Sequence, residues 1–114
     1  MILEINVGLD RAGGPNRPFN RMLRLEAVKA FIARADSFGV VVLQGDIAGA
    51  DEPCAWARFD RSVNQGVLDL YELAEELGQD CIAVRFPDGS GVLVGPNAQA
   101  WGEDADTFEK RDLI

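Results

Sequence analysis

Hydrophobic positions in the first nine residues alternate without a break, with Leu3, Ile5, Val7 and Leu9 on one side and Glu4, Asn6 and Gly8 on the other. A period of two puts successive side chains on opposite faces of a pleated strand, so this segment predicts a strand with one buried face. The period then lengthens. Leu25, Val28, Phe31, Ile32 and Ala35 recur at helical spacing, with Asn16 placed to cap the helix, Pro18 in its first turn and Gly39 as a left-handed C-cap. "GVVVLQG" (39–45) is a short apolar run rich in β-branched residues and predicts an interior or half-covered strand. The polar stretch "DIAGADEP" (46–53) reads as the turn after it.

Alternation returns in "CAWARFDR" (54–61), which separates Ala55, Ala57 and Phe59 from Cys54, Trp56, Arg58 and Asp60. Ser62 and Gln65 stand at capping-box spacing before a second helix that Gly78 closes. On it, Val63, Val67, Leu70, Ala74 and Leu77 form one face, and Asp69, Glu72 and Glu76 gather on the opposite one. "CIAVRF", the turn "PDGSG" and "VLVG" make a last hairpin. Residues 96–114 read as an acidic tail carrying Trp101, Phe108, Leu113 and Ile114.

The order β-α-β-β-α-β plus one hairpin strand predicts an α+β fold over residues 1–95. Right-handed crossovers turn that order into a ferredoxin-like split βαβ, with two helices on one face of an antiparallel sheet in the spatial order 4-1-3-2. In that order the strands bearing Cys54 and Cys81 flank the first strand roughly 9 to 10 Å apart, too far for a disulfide, so two reduced thiols are expected. The other sheet face then carries Glu4, Asn6, Trp56, Arg58 and Arg85. It is left for the aromatic tail or a second copy of the chain to cover, the latter giving a homodimer.

Composition narrows the chemistry. The 114 residues suit one core, and no run is apolar enough for a membrane span. The start lacks the basic leader of a secretory signal, so a cytoplasmic protein is expected. There is no histidine, which removes histidine-based triads and most zinc and haem sites, and no cofactor is expected. Charge is uneven: residues 1–36 hold six Lys or Arg against four Asp or Glu, whereas 37–114 hold five against fifteen, for a net charge of −8. An acidic surface repels nucleic-acid backbones and is drawn to basic protein surfaces, and many soluble domains carry acids for solubility alone.

Two segments concentrate candidate chemistry. In "LDRAGGPNRPFNRMLR" (9–24), Arg11, Arg17, Arg21 and Arg24 surround a Gly-Gly-Pro turn before a helix N-terminus, where free N–H groups and guanidinium forks can hold a phosphate or carboxylate. The stretch matches neither GxxxxGK[ST] nor GxGxxG, and a solvated connector has the same composition. Two helices, a short hairpin and an arginine-bearing first loop resemble the acylphosphatases. That resemblance implies phosphoryl hydrolysis by the loop, although the family's loop run is replaced here by "DRAGGPNRP" and its second-strand asparagine has only Gln44 as a counterpart. Asp10 at the end of the first strand is a candidate metal ligand if Asp46 or Asp60 joins it. Base stacking on Trp56 would suit an RNA-binding sheet, but the aromatic-glycine run of that module is missing.

The second segment is the acidic ridge Asp69, Glu72 and Glu76, with Glu103, Asp104 and Asp106 of the tail. "LAEELGQDCIAVRFPDGSGVLVG" (73–95) resembles the helix, strand and hairpin of small phage-encoded proteins. That class includes inhibitors of bacterial defence such as anti-CRISPR proteins, some of which present carboxylates to a nucleic-acid-binding groove. The resemblance implies a non-enzymatic binder of a basic, nucleic-acid-binding host surface, with no direct contact to nucleic acid or membrane. A solvated helix face is the plain alternative.

Overall fold

A computed structural model describes residues 1–34, 36–47, 50–98 and 106–108, with side chains over 1–34 and 53–98. Six strands and two helices follow one another as β1 (Ile2–Gly8), α1 (Pro18–Ala33), β2 (Asp36–Ile47), β3 (Ala50–Asp60), α2 (Val63–Leu77), β4 (Ile82–Arg85), β5 (Gly91–Val94) and β6 (Asp106–Phe108). They form one sheet in the order β2-β3-β1-β4-β5-β6. Neighbours are antiparallel except β5 and β6, which run parallel. The protein is therefore α+β, with two helices and a mainly antiparallel sheet.

The alternation of β1 decides where the core lies. Leu3, Ile5 and Val7 are buried together with Ala55, Ala57 and Phe59 of β3, Ile82 and Val84 of β4, and Val92 and Val94 of β5. Val28, Phe31 and Ile32 of α1 and Val67, Leu70, Leu73, Ala74 and Leu77 of α2 join the same cluster, so both helices pack on one sheet face. Phe31 meets Phe59 edge to face, with ring centroids 5.6 Å apart. Gly66 lets α2 lie close to β1, since a Cβ there would stand 2.5 Å from Leu3 Cδ1.

Three local expectations are corrected. Asn16 does not cap α1. Arg17 occupies the N-cap position without a side-chain bond, because the Asn16 amide is engaged within the preceding loop. Gly39 is not a C-cap either: α1 stops at Ala33 with Arg34 as cap, and Gly39 lies in β2 opposite Arg58, beside a register shift between Ser37 and Gly39. Glycine in a strand at such an irregularity is the bulge signal, and it was indistinguishable in sequence from a helix stop.

"DIAGADEP" is largely strand. Pairing of β2 with β3 continues from Gln44↔Pro53 to Ile47↔Ala50, beyond the last β1 pair, Gly8↔Cys54. Pro53 fits because β1 has ended there. Its carbonyl accepts from Leu9 N at 3.0 Å, and the N–H it lacks is not missed at Leu9 O, which accepts from Arg24 Nη1 instead.

The capping box of α2 is half formed: Ser62 Oγ accepts from Gln65 N at 3.4 Å, while the Gln65 side chain turns to Asp69. Gly78 closes α2 with φ +68°, as its position predicted. In the segment read as a tail, Asp106–Phe108 forms the edge strand beside β5, and Trp101, Leu113 and Ile114 lie outside the described residues.

Candidate functional site

The first connection folds around its own arginines. The Arg24 stem lies along the core-facing side of α1 and the residue is buried, which obliges its guanidinium to find partners inside. It donates to Leu9 O at 2.7 Å, Pro15 O at 2.7 Å and Asn16 Oδ1 at 2.8 Å. Arg21 forms a forked pair with Asp10 at 2.6 and 2.9 Å. That pair and its charge hold the Arg21 guanidinium above its usual pKa. Arg11 donates from Nε to Gly14 O at 3.0 Å, and its backbone is clasped by Asn16 through Arg11 N→Oδ1 and Nδ2→Arg11 O.

From the other side, Gln79, just past α2, donates its amide to Gly8 O and Asp10 O, and the Arg11 side chain lies over Gly78. The carbonyls at the exit of β1 are thus satisfied by Gln79 and Arg24 in alternation. Of the four arginines, Arg17 alone keeps its guanidinium free of protein partners among the described residues. The structure gathers the loop arginines as expected but engages three of them with the chain's own oxygens, Arg24 from a buried position and Arg11 and Arg21 nearer the surface.

Asp10 is committed to Arg21, and Asp60, opposite Ile2 at the far end of β1, pairs with the N-terminal amine at 2.7 Å. The two carboxylates cannot share an ion. Asp46 is described in its backbone only. Among the described residues no group of three or more His, Cys, Asp or Glu is arranged to hold a metal.

The sheet face away from the helices is occupied as well. Trp56 Nε1 donates to Glu4 Oε1 at 2.8 Å, Arg58 stands 3.5 Å from Glu4 Oε2, and the Arg58 guanidinium lies 5.0 Å over the Trp56 ring. The ring face that an RNA base would need is thus taken by an arginine on one side. Neither Cys54 nor Cys81 is in a disulfide. Burial, with Asp80 alongside, pushes Cys81 up to about 11, the opposite of an activated nucleophile.

The helices present a different surface. Asp69, Glu72 and Glu76 line the α2 side of a groove between the two helices, with Phe31 and Leu73 in its floor and Arg34 and Arg61 at one end. Toward the other end the groove continues past Leu23, Ala27 and Leu77 to Arg11 and Arg24, with Glu76 common to both stretches. Asp69 receives Gln65 Nε2 at 2.7 Å and lies 3.6 Å from Arg61. Glu72 and Glu76 are exposed and have no ionic or hydrogen-bond partner among the described residues. Glu103 and Asp104 lie outside the described residues, and Asp106 is described only as part of β6.

An exposed apolar stripe on α1 was missed from sequence, and of its three residues Leu23 lines the groove. Phe19, Met22 and Leu23 are about half exposed or more, although they recur at i, i+3 and i+4. That spacing is a legible second stripe on the helix face away from Val28 and Ile32. Among the described residues no helix is long and apolar enough to cross a membrane. No protein-family model matches the chain, and neither the curated proteins nor the solved structures give a significant match.

Proposed function

We propose that this chain is a non-enzymatic interaction protein that offers the acidic lip of its helix layer to a basic protein surface. The observation that carries the reading is the pair Glu72 and Glu76, one helical turn apart, exposed and without partners among the described residues at the edge of an apolar-floored groove. The net charge of −8 adds long-range attraction to such a target. In its specific form the protein is a phage inhibitor that works in the bacterial cytoplasm by occupying the nucleic-acid channel of a defence complex of the CRISPR type. The fold reading that goes with it is the ferredoxin-like split βαβ. It is supported by the order β2-β3-β1-β4, with β1 antiparallel to both neighbours and both helices on one face. The acylphosphatase-like alternative loses support where Arg11, Arg21 and Arg24 turn their donors to the chain's own oxygens.

Titration calorimetry against a purified CRISPR effector and an unrelated basic protein tests the reading. Binding should weaken as salt rises and fall at least tenfold in the D69K/E72K/E76K variant. Binding that ignores both changes overturns it. Turnover of an acyl phosphate that Arg17→Ala abolishes would establish the hydrolase instead.

A further inference from the structure

The two walls of the interhelical groove differ in chemistry, and that difference constrains what can lie in it. On the α1 side stand Leu23, half exposed, and Ala27; on the α2 side stand Glu72 and Glu76. Leu23 supplies the exposed apolar surface of the α1 wall. From Asn20 to Arg34 the groove runs about 21 Å at the helical rise. Arginines close both ends, Arg34 and Arg61 at one and Arg11 at the other.

We propose that the groove docks an amphipathic α-helix of a partner protein, with its apolar face on Leu23 and Ala27 and a Lys or Arg pair at i, i+4 on Glu72 and Glu76. The proposal rests on the acidic-binder reading and specifies its partner element. A helix is favoured over an extended segment because the apolar wall offers no backbone groups. A strand or loop laid there would bury unpaired N–H and C=O groups, whereas a helix satisfies its own. The i, i+4 spacing follows from Glu72 and Glu76 being one turn apart on a helix themselves. The arginines at the ends repel cations, which places the basic pair of the partner at the middle of the groove.

The test uses two 18-residue peptides of identical Leu/Lys/Ala composition. One carries leucines on one helical face and a Lys pair at i, i+4 beside it, and the other is a scrambled control. Fluorescence anisotropy with the full chain should show at least tenfold tighter binding of the patterned peptide. L23S should lose at least fivefold, and E72K/E76K at least tenfold, while circular dichroism reports unchanged folding. Loss with E72K/E76K but none with L23S would leave the acidic reading standing and overturn the helix proposal. Equal binding of both peptides would overturn it too. Sedimentation equilibrium guards against self-association: a dimer that dissolves in L23S would assign the groove to a second copy and end the proposal.

Discussion

The connection between β1 and α1 and the outer edge of α2 carry the two densest groups of like charge among the described residues, and they use them in opposite ways. In the connection, three of four arginines donate to Leu9 O, Pro15 O, Gly14 O and the Asp10 carboxylate. On α2, Glu72 and Glu76 are exposed and have no ionic or hydrogen-bond partner among the described residues. A guanidinium on a long stem can reach back to backbone oxygens that would otherwise be stranded, so an arginine-rich loop can be a scaffold. A carboxylate on a helix edge has no comparable need to fill, because the helix has already paired the donors around it. Charge density therefore marks both places, and only the count of satisfied partners separates the structural one from the one open to a ligand.

The strongest way to break that contrast is to remove Arg24. Arg24→Ala leaves Leu9 O and Pro15 O unpaired and should cost about 3 kcal/mol in urea unfolding. Arg24→Lys should recover only part of that, because one ammonium cannot span three acceptors held by a fork. A loss under about 1 kcal/mol for Arg24→Ala would mean the loop is not built around this residue.

Gly78 joins the two regions, holding φ +68° at the end of α2 with Arg11 Nη1 3.2 Å from where a Cβ would stand. Gly78→Ala should destabilise by about 1 kcal/mol, with amide exchange rising in the last turn of α2 and in residues 10–14 together. Exchange confined to α2 would show that the connection does not lean on the helix.

Cys81, next to the same junction, provides a pH probe. Its thiol is raised to about 11 from an ordinary 9.0, so the folded chain keeps a proton that the unfolded chain has released. The neutral thiol disturbs nothing below pH 9, and stability should fall as pH rises from about 9 to about 11. Cys81→Ser should flatten that decline. Alkylation at pH 8 should be slower in the folded chain than in denaturant, and equal rates would contradict the burial.

The smallest stability effect is expected at the acidic lip. E72K/E76K should move folding stability by less than about 0.5 kcal/mol, since neither carboxylate holds a partner. A larger loss would place these residues among the structural charges and erase the difference from the connection.

The legible features are those set by short-range covalent and steric rules. The alternation in β1, the helical stripe Val67, Leu70, Ala74 and Leu77, and the left-handed glycine at Gly78 all stood in the sequence and reappear in the core and the C-cap. Gly39 and "DIAGADEP" were misread because a glycine or a polar run signals a break in either a helix or a strand, and cross-strand pairing decides which. Phe19, Met22 and Leu23 were legible as a stripe, but their exposure depends on which face of α1 the sheet claims.

By itself, then, the sequence determined the elements with strong periodicity, the single core, the acid excess and the absence of imidazole chemistry. Tertiary structure alone decided the fate of each charge. An arginine becomes a staple or a ligand-binding group according to which carbonyls the fold strands near it, and those carbonyls come from residues up to 15 positions away. Contacts made across such distances depend on how strands and helices are brought together, and no local pattern of residues encodes that directly.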